Sequence, residues 1–232
     1  MELLFDQTLL NEALAPVGYR QRKELIYQAE WSTLEVEHFI AFSRYAMAQS
    51  LLTGDFGMRN PCAEVFSVHC IRAYGGDLFK IFRPHGIDYD CTMSFSFGRL
   101  TSKVQRWSLD ILVLSGTALV NSVQTYVRDR LLPVVGGVTT LDKLLAVLMV
   151  DAEPYPWIAS NGAIRAAQIV AIGRQIGYEA DYICASLEPY KRHILSGLGK
   201  KSAEQDDVNI YLERVVADWE IFSRRPKGAH TN

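Results

Sequence analysis

Apolar residues recur along the first hundred positions with mixed spacing and afterwards settle to a helical period. Phe5, Leu9, Ala13 and Leu14 stand at helical spacing until Pro16 and Gly18, which predicts a short packed helix ending where proline removes a backbone donor. Leu25, Tyr27, Ala29 and Trp31 then alternate with Glu24, Gln28 and Glu30, with Ile26 the one exception, as in a half-buried strand whose side chains point to opposite faces in turn. From Val36 to Phe42 the chain is apolar on both faces apart from Glu37 and His38, which suits a strand inside a sheet. A third strand is expected over Leu52 to Met58. Asn60-Pro61 predicts a helix start, since Asn accepts from an orphan N–H and Pro at the first helical position gives up no bond; Gly75-Gly76 predicts its end. Between them Cys62, Phe66, Cys70 and Tyr74 recur every four residues, while Val65, Val68 and Ile71 keep a strand as the competing reading. Strands return over Leu78 to Phe82 and over Thr92 to Phe97, where Met93, Phe95 and Phe97 alternate with Thr92, Ser94 and Ser96.

Beyond Leu100 the period becomes 3.6. Leu109, Leu112, Leu119, Val123 and Val127 mark one face of a long helix expected to end before Pro133, followed by a turn at Gly136-Gly137. Thr139 and Asp142 resemble a capping box opening a helix over Leu141 to Met149. Residues 151–157, with Pro154 and Pro156, read as a loop. Helices are expected at Ala163 to Ile176, at Glu179 to Leu195 with a break at Pro189, and at Ala203 to Phe222, the last with Val208, Tyr211, Leu212, Val215, Trp219 and Phe222 on one stripe. The expected fold is α+β: an antiparallel sheet with packed helix in a lobe spanning 1–100, an all-helical lobe spanning 101–225, and a mobile tail over 226–232.

Composition narrows the function without naming it. The chain has 232 residues, 49% hydrophobic and 22% charged, which fits a folded globular protein. Lys and Arg total 24 against 26 Asp and Glu, a formal charge of −2, so no global basic field favours nucleic acid. The apolar stretches Leu109 to Val120 and Leu141 to Val150 are shorter than a membrane span and carry charged residues, and Met1 to Asp6 lacks a secretion signal; a cytoplasmic protein without membrane contact is expected. Cys62, Cys70, Cys91 and Cys184 show neither a C-x-x-C pair nor zinc-site spacing, so neither metal nor cofactor is expected.

Asp55-Phe56-Gly57 has the letters of a kinase magnesium motif without the rest of the set, and the segment Gly197 to Ser202 lacks the spacing of a phosphate loop. The loop from Arg83 to Cys91 gathers His85, Asp88, Asp90 and Cys91, groups able to bind a ligand or carry protons, and a plain inter-strand loop is the alternative. His69 and Cys70 read as packing residues before they read as a dyad. Charge points more clearly to a partner. Between Ser202 and Glu220 six acids face the single base Arg214, and Asp206, Glu213 and Glu220 fall seven apart along one helix face. That ridge suits a basic protein surface, and a solvated outer face is the competing reading. Tyr155 and Trp157, in the proline-bearing loop, are candidate interface anchors.

Leu14 to Tyr27, Val36 to Tyr45, Phe56-Gly57, Trp107 and Leu131 to Val135 together resemble a bacterial family of uncharacterised, immunity-type proteins over roughly residues 1–150. The resemblance implies a non-catalytic protein that neutralises a toxin or effector, and it assigns no catalytic residue. The competing expectation is a small-molecule hydrolase or transferase using the loop from His85 to Cys91. Pairing with a second copy of the chain is a further expectation.

Overall fold

A computed structural model describes residues 7–45, 48–74, 92–97, 109–110, 116–149, 162–188 and 205–224. The fold is α+β, with an N-terminal antiparallel sheet and later helices. The elements form two compact units, each drawing on chain from both sides of residue 100. One holds the first helix, the sheet and the helices between residues 116 and 135. The other holds the helix that starts at Pro61 and the helices from Leu141 onward.

In the sheet unit, α1 (Thr8–Leu14) tightens into a 3-10 turn, Ala15–Val17, that ends at Gly18 with φ +79°. Glycine is required there twice over. The left-handed backbone penalises any Cβ, and a Cβ would lie 2.5 Å from the Trp31 ring. Strands β1 (Tyr19–Lys23), β2 (Ile26–Ala29), β3 (Glu37–Tyr45), β4 (Ala48–Arg59) and β5 (Met93–Ser96) follow one another across the sheet, and β6 (Leu109–Asp110) also pairs with β4. β5 meets β4 at Asp55 to Met58, and β6 meets it at Leu51 and Leu52, so the two short strands share one long neighbour.

β1 is an edge strand in which only Tyr19 is buried. Its basic side chains are held in place: Arg20 pairs with Glu30, and the Arg22 guanidinium donates to Gln28 at 2.9 Å and lies 3.7 Å from Glu37. Charged side chains along such an edge discourage pairing with another chain. The core-facing side of the sheet carries Tyr19, Tyr27, Ile40, Phe42, Phe56 and Phe97, all buried, and includes edge-to-face pairs Tyr27–Phe42 and Phe42–Phe97. His38 is part of this core. It is fully buried between Trp31 and Phe56, and its Nε2–H donates to the Val138 carbonyl at 2.6 Å.

The helix expected over 109–127 needs correction. Leu109 and Asp110 are strand, and α3 begins at Gly116, running to Tyr126. It does not stop before Pro133 either. A wider π-helical turn, Val127–Leu131, leads into α4 (Leu132–Val135), so Pro133, which has no N–H to give a preceding carbonyl, follows directly on the turn where the regular ladder is already interrupted. Tyr126 stacks on Phe97 at 4.7 Å and donates its hydroxyl to the Phe97 carbonyl, which ties α3 to the sheet.

In the helical unit, α2 (Pro61–Tyr74) starts as its sequence predicts: Asn60 Oδ1 accepts the Ala63 N–H at 2.7 Å. The Thr92 hydroxyl accepts the Asn60 N–H at 2.9 Å. α5 (Leu141–Met149) is followed by α6 (Gly162–Gln175), buried at every position from Ala163 to Gly173 except Ile164. A helix buried all round must satisfy its polar side chains inside. Arg165 caps α5 by donating to the Leu148 carbonyl, and Gln168 donates to Glu64 at 2.9 Å. α7 (Ala180–Ser186) follows the Gly177 turn, and α8 (Gln205–Phe222) packs through Tyr211, Leu212, Val215, Trp219 and Phe222, five of the six residues of the predicted stripe. Phe66 of α2 meets Trp219 and Phe222 at ring distances of 5.0 and 5.2 Å.

Candidate functional site

The acidic residues singled out in the sequence lie on α8. Asp206 sits in its first turn, Glu213 is exposed at mid-helix, and Glu220 stands near its end. They do not form a uniform free ridge. Glu220 accepts from Arg174 of α6 at 2.6 and 3.2 Å, and Asp218 stands 3.5 Å from His69 of α2. These pairs spend part of the acidity inside the unit and fix α8 against its neighbours. Glu213 remains turned to solvent between Ile210 (46% exposed) and Ile221 (61% exposed).

Arg174 joins this helix to a feature the sequence reading missed. Its guanidinium also donates to the Tyr178 carbonyl at 2.8 Å and lies 3.7 Å from the exposed Glu179 carboxylate. Tyr178 and Tyr182 form an edge-to-face pair at 5.2 Å with 38% and 58% of their surface open to solvent. Gly177, at φ +90°, turns the chain so that these two tyrosines flank the start of α7. Burial raises the Cys184 thiol pKa, and Asp181 and Glu213 both add to the effect, which places these acids of α7 and α8 in one electrostatic neighbourhood. The surface thus combines two part-exposed aromatic rings with the carboxylates of Glu179 and Asp181, and Glu213 of α8 lies near enough to share their field. The signal in the sequence was Tyr178 and Tyr182 at i, i+4 beside an acidic pair.

Among the described thiols, burial pushes both Cys70 and Cys184 up, and Asp218 adds to the effect at Cys70. Thiols held protonated are poor nucleophiles, so His69 and Cys70 do not make a dyad; the imidazole faces Asp218 and leans on Phe222 instead. No group of three or more metal-ligating side chains gathers among the described residues. No described helix is long and apolar enough to cross a membrane. His85, Asp88, Asp90, Tyr155 and Trp157 lie outside the described residues.

In the sheet unit, Asp55 on β4 departs furthest from ordinary carboxylate behaviour: burial without a compensating partner raises its pKa from 3.8 to about 6. Comparison with known proteins adds no assignment to either site, because no family model, no curated protein and no solved structure matches the chain.

Proposed function

We propose that this protein is a non-catalytic protein-binding protein of the bacterial, cytoplasmic immunity type, which neutralises a toxin or effector by covering a basic surface of it. The observation that supports this reading most strongly is the exposed Tyr178–Tyr182 pair set among Glu179, Asp181 and Glu213. Tyrosine offers a large amphipathic contact at a small entropic cost and is enriched where interfaces gain most of their energy. The carboxylates around it steer a basic partner and disfavour an acidic one. Arg174 is the internal brace: by holding Glu220 and the Tyr178 carbonyl, it presents the two helices as one preorganised face.

The test is a direct binding comparison with the partner recovered from source cells. Tyr182→Ala is expected to weaken the complex at least tenfold, chiefly through faster dissociation. Glu213→Lys is expected to slow association and to flatten its dependence on salt. A complex indifferent to both substitutions contradicts the proposed face.

A further inference from the structure

α8 is apolar on two sides. Its buried stripe, Tyr211, Leu212, Val215, Trp219 and Phe222, holds it to the helical unit, and a surface helix ordinarily carries polar side chains on the opposite face. On that face stand instead Ile210, Ala217 and Ile221, all exposed to solvent. Together with the exposed Arg214 they are spaced four, three and four residues apart, the spacing of a helix–helix seam. The same line along the helix passes through position 207, three residues before Ile210, and reaches the exposed Arg224 just past the helix end. In chain order the seam therefore holds Asp207, Ile210, Arg214, Ala217, Ile221 and Arg224. Of the acids that flank it, Glu220 is held by Arg174 and Asp218 faces His69, while Glu213 borders the seam next to Arg214.

This order of residues is complementary to its own reverse. If two copies of the helix lay parallel, each seam residue would meet itself, and positions 207, 214 and 224 would all set like charge against like charge. An antiparallel pair about a twofold axis midway between Val215 and Val216 removes that conflict. Ile210 then meets Ile221 of the second copy, Arg214 meets the small Ala217 of the second copy, and Asp207 comes level with Arg224 of the second copy, each match occurring twice by symmetry. The Arg214 stem can lie along the alanine methyl while its guanidinium reaches outward. Glu213 comes beside Glu220 of the second copy, whose charge Arg174 already offsets. We propose that the exposed face of α8 binds the same face of α8 in a second copy of this chain, antiparallel, as a twofold dimer. The proposal uses neither Tyr178 nor Tyr182, and it stands independently of the neutralising role.

Sedimentation equilibrium of the full chain, over concentrations from about 1 to about 500 μM, tests the pairing. The mass is expected to rise with concentration from the 26.1 kDa of one chain toward twice that value. Ile221→Glu, at an exposed position, is expected to weaken self-association by about tenfold or more, because the symmetry applies the substitution twice. Arg224→Glu brings a carboxylate level with Asp207 of the second copy and should weaken the dimer several-fold. Adding Asp207→Arg to the same chain restores opposite charges across the axis and should recover the lost affinity, a rescue that a parallel pair does not give. Circular dichroism of each variant checks that helix content is kept. The mass of one chain at every concentration, a dimer undiminished by Ile221→Glu, or a double variant that pairs no more tightly than Arg224→Glu alone overturns the proposal.

Discussion

Asp55→Asn measures how strongly the sheet unit resists a charge at that position. With its pKa raised from 3.8 to about 6, the folded protein holds the Asp55 proton over a range in which the unfolded chain has released it. The stability linked to this proton is complete below about pH 3.8 and is lost as the pH rises through about 6. At about 1.4 kcal/mol per pH unit, the ionised carboxylate costs the fold about 3 kcal/mol above neutrality. Asparagine keeps the shape of the protonated acid and cannot ionise. Urea unfolding of the two proteins is therefore expected to coincide near pH 4 and to diverge with pH, the Asn variant being more stable by up to about 3 kcal/mol at pH 7.5. An equal difference at both pH values refutes the reasoning. A variant less stable at pH 7.5 refutes it too, since it requires a favourable partner for the ionised carboxylate.

His38 carries the opposite sign. Burial lowers its pKa below 6.5, so its contribution is complete above pH 6.5 and is lost as the pH falls below that value; His38→Phe is expected to remove this acid-side loss, seen by unfolding at pH 7.5 and 5.5. Asn60→Ala removes the cap on α2 and should cost about 1 kcal/mol in chemical denaturation. Gly173→Ala pushes a methyl to within 2.8 Å of the Ile183 side chain and should cost about 1 to 3 kcal/mol, read as a lowered Tm. Tyr178→Ala with Tyr182→Ala removes two part-exposed rings that pack on each other, so stability should fall by about 1 to 3 kcal/mol and leave the chain folded, while partner binding falls at least tenfold.

Most helices and the inner strands were legible because their burial pattern is periodic: the predicted stripe of α8 is buried from Tyr211 to Phe222, and Asn60 caps α2 as its sequence suggests. What escaped lacked a period. β1 buries one residue in five, so its alternation is invisible in the sequence. Two residues of β6 cannot show a repeat, and Leu109 fell by chance on the helical spacing of Leu119 and Val123. Pro133 signalled a stop that the π-turn before it removes. The site shows the same limit. The seven-residue spacing of Asp206, Glu213 and Glu220 was readable on one helix, but the partner of Glu220 is Arg174, far away in sequence. Asp55 drew notice only for a kinase-like triplet, because the absence of a neighbouring base is a property of the folded sheet.

The most direct test of the central claim is affinity capture from source-cell lysate at moderate salt, with neighbouring genes expressed, run side by side on the wild-type chain, Tyr178→Ala with Tyr182→Ala, and Glu213→Lys. The account predicts one basic protein captured in stoichiometric amount by the wild type and lost from both variants. No stoichiometric partner, or one retained equally by all three chains, contradicts it.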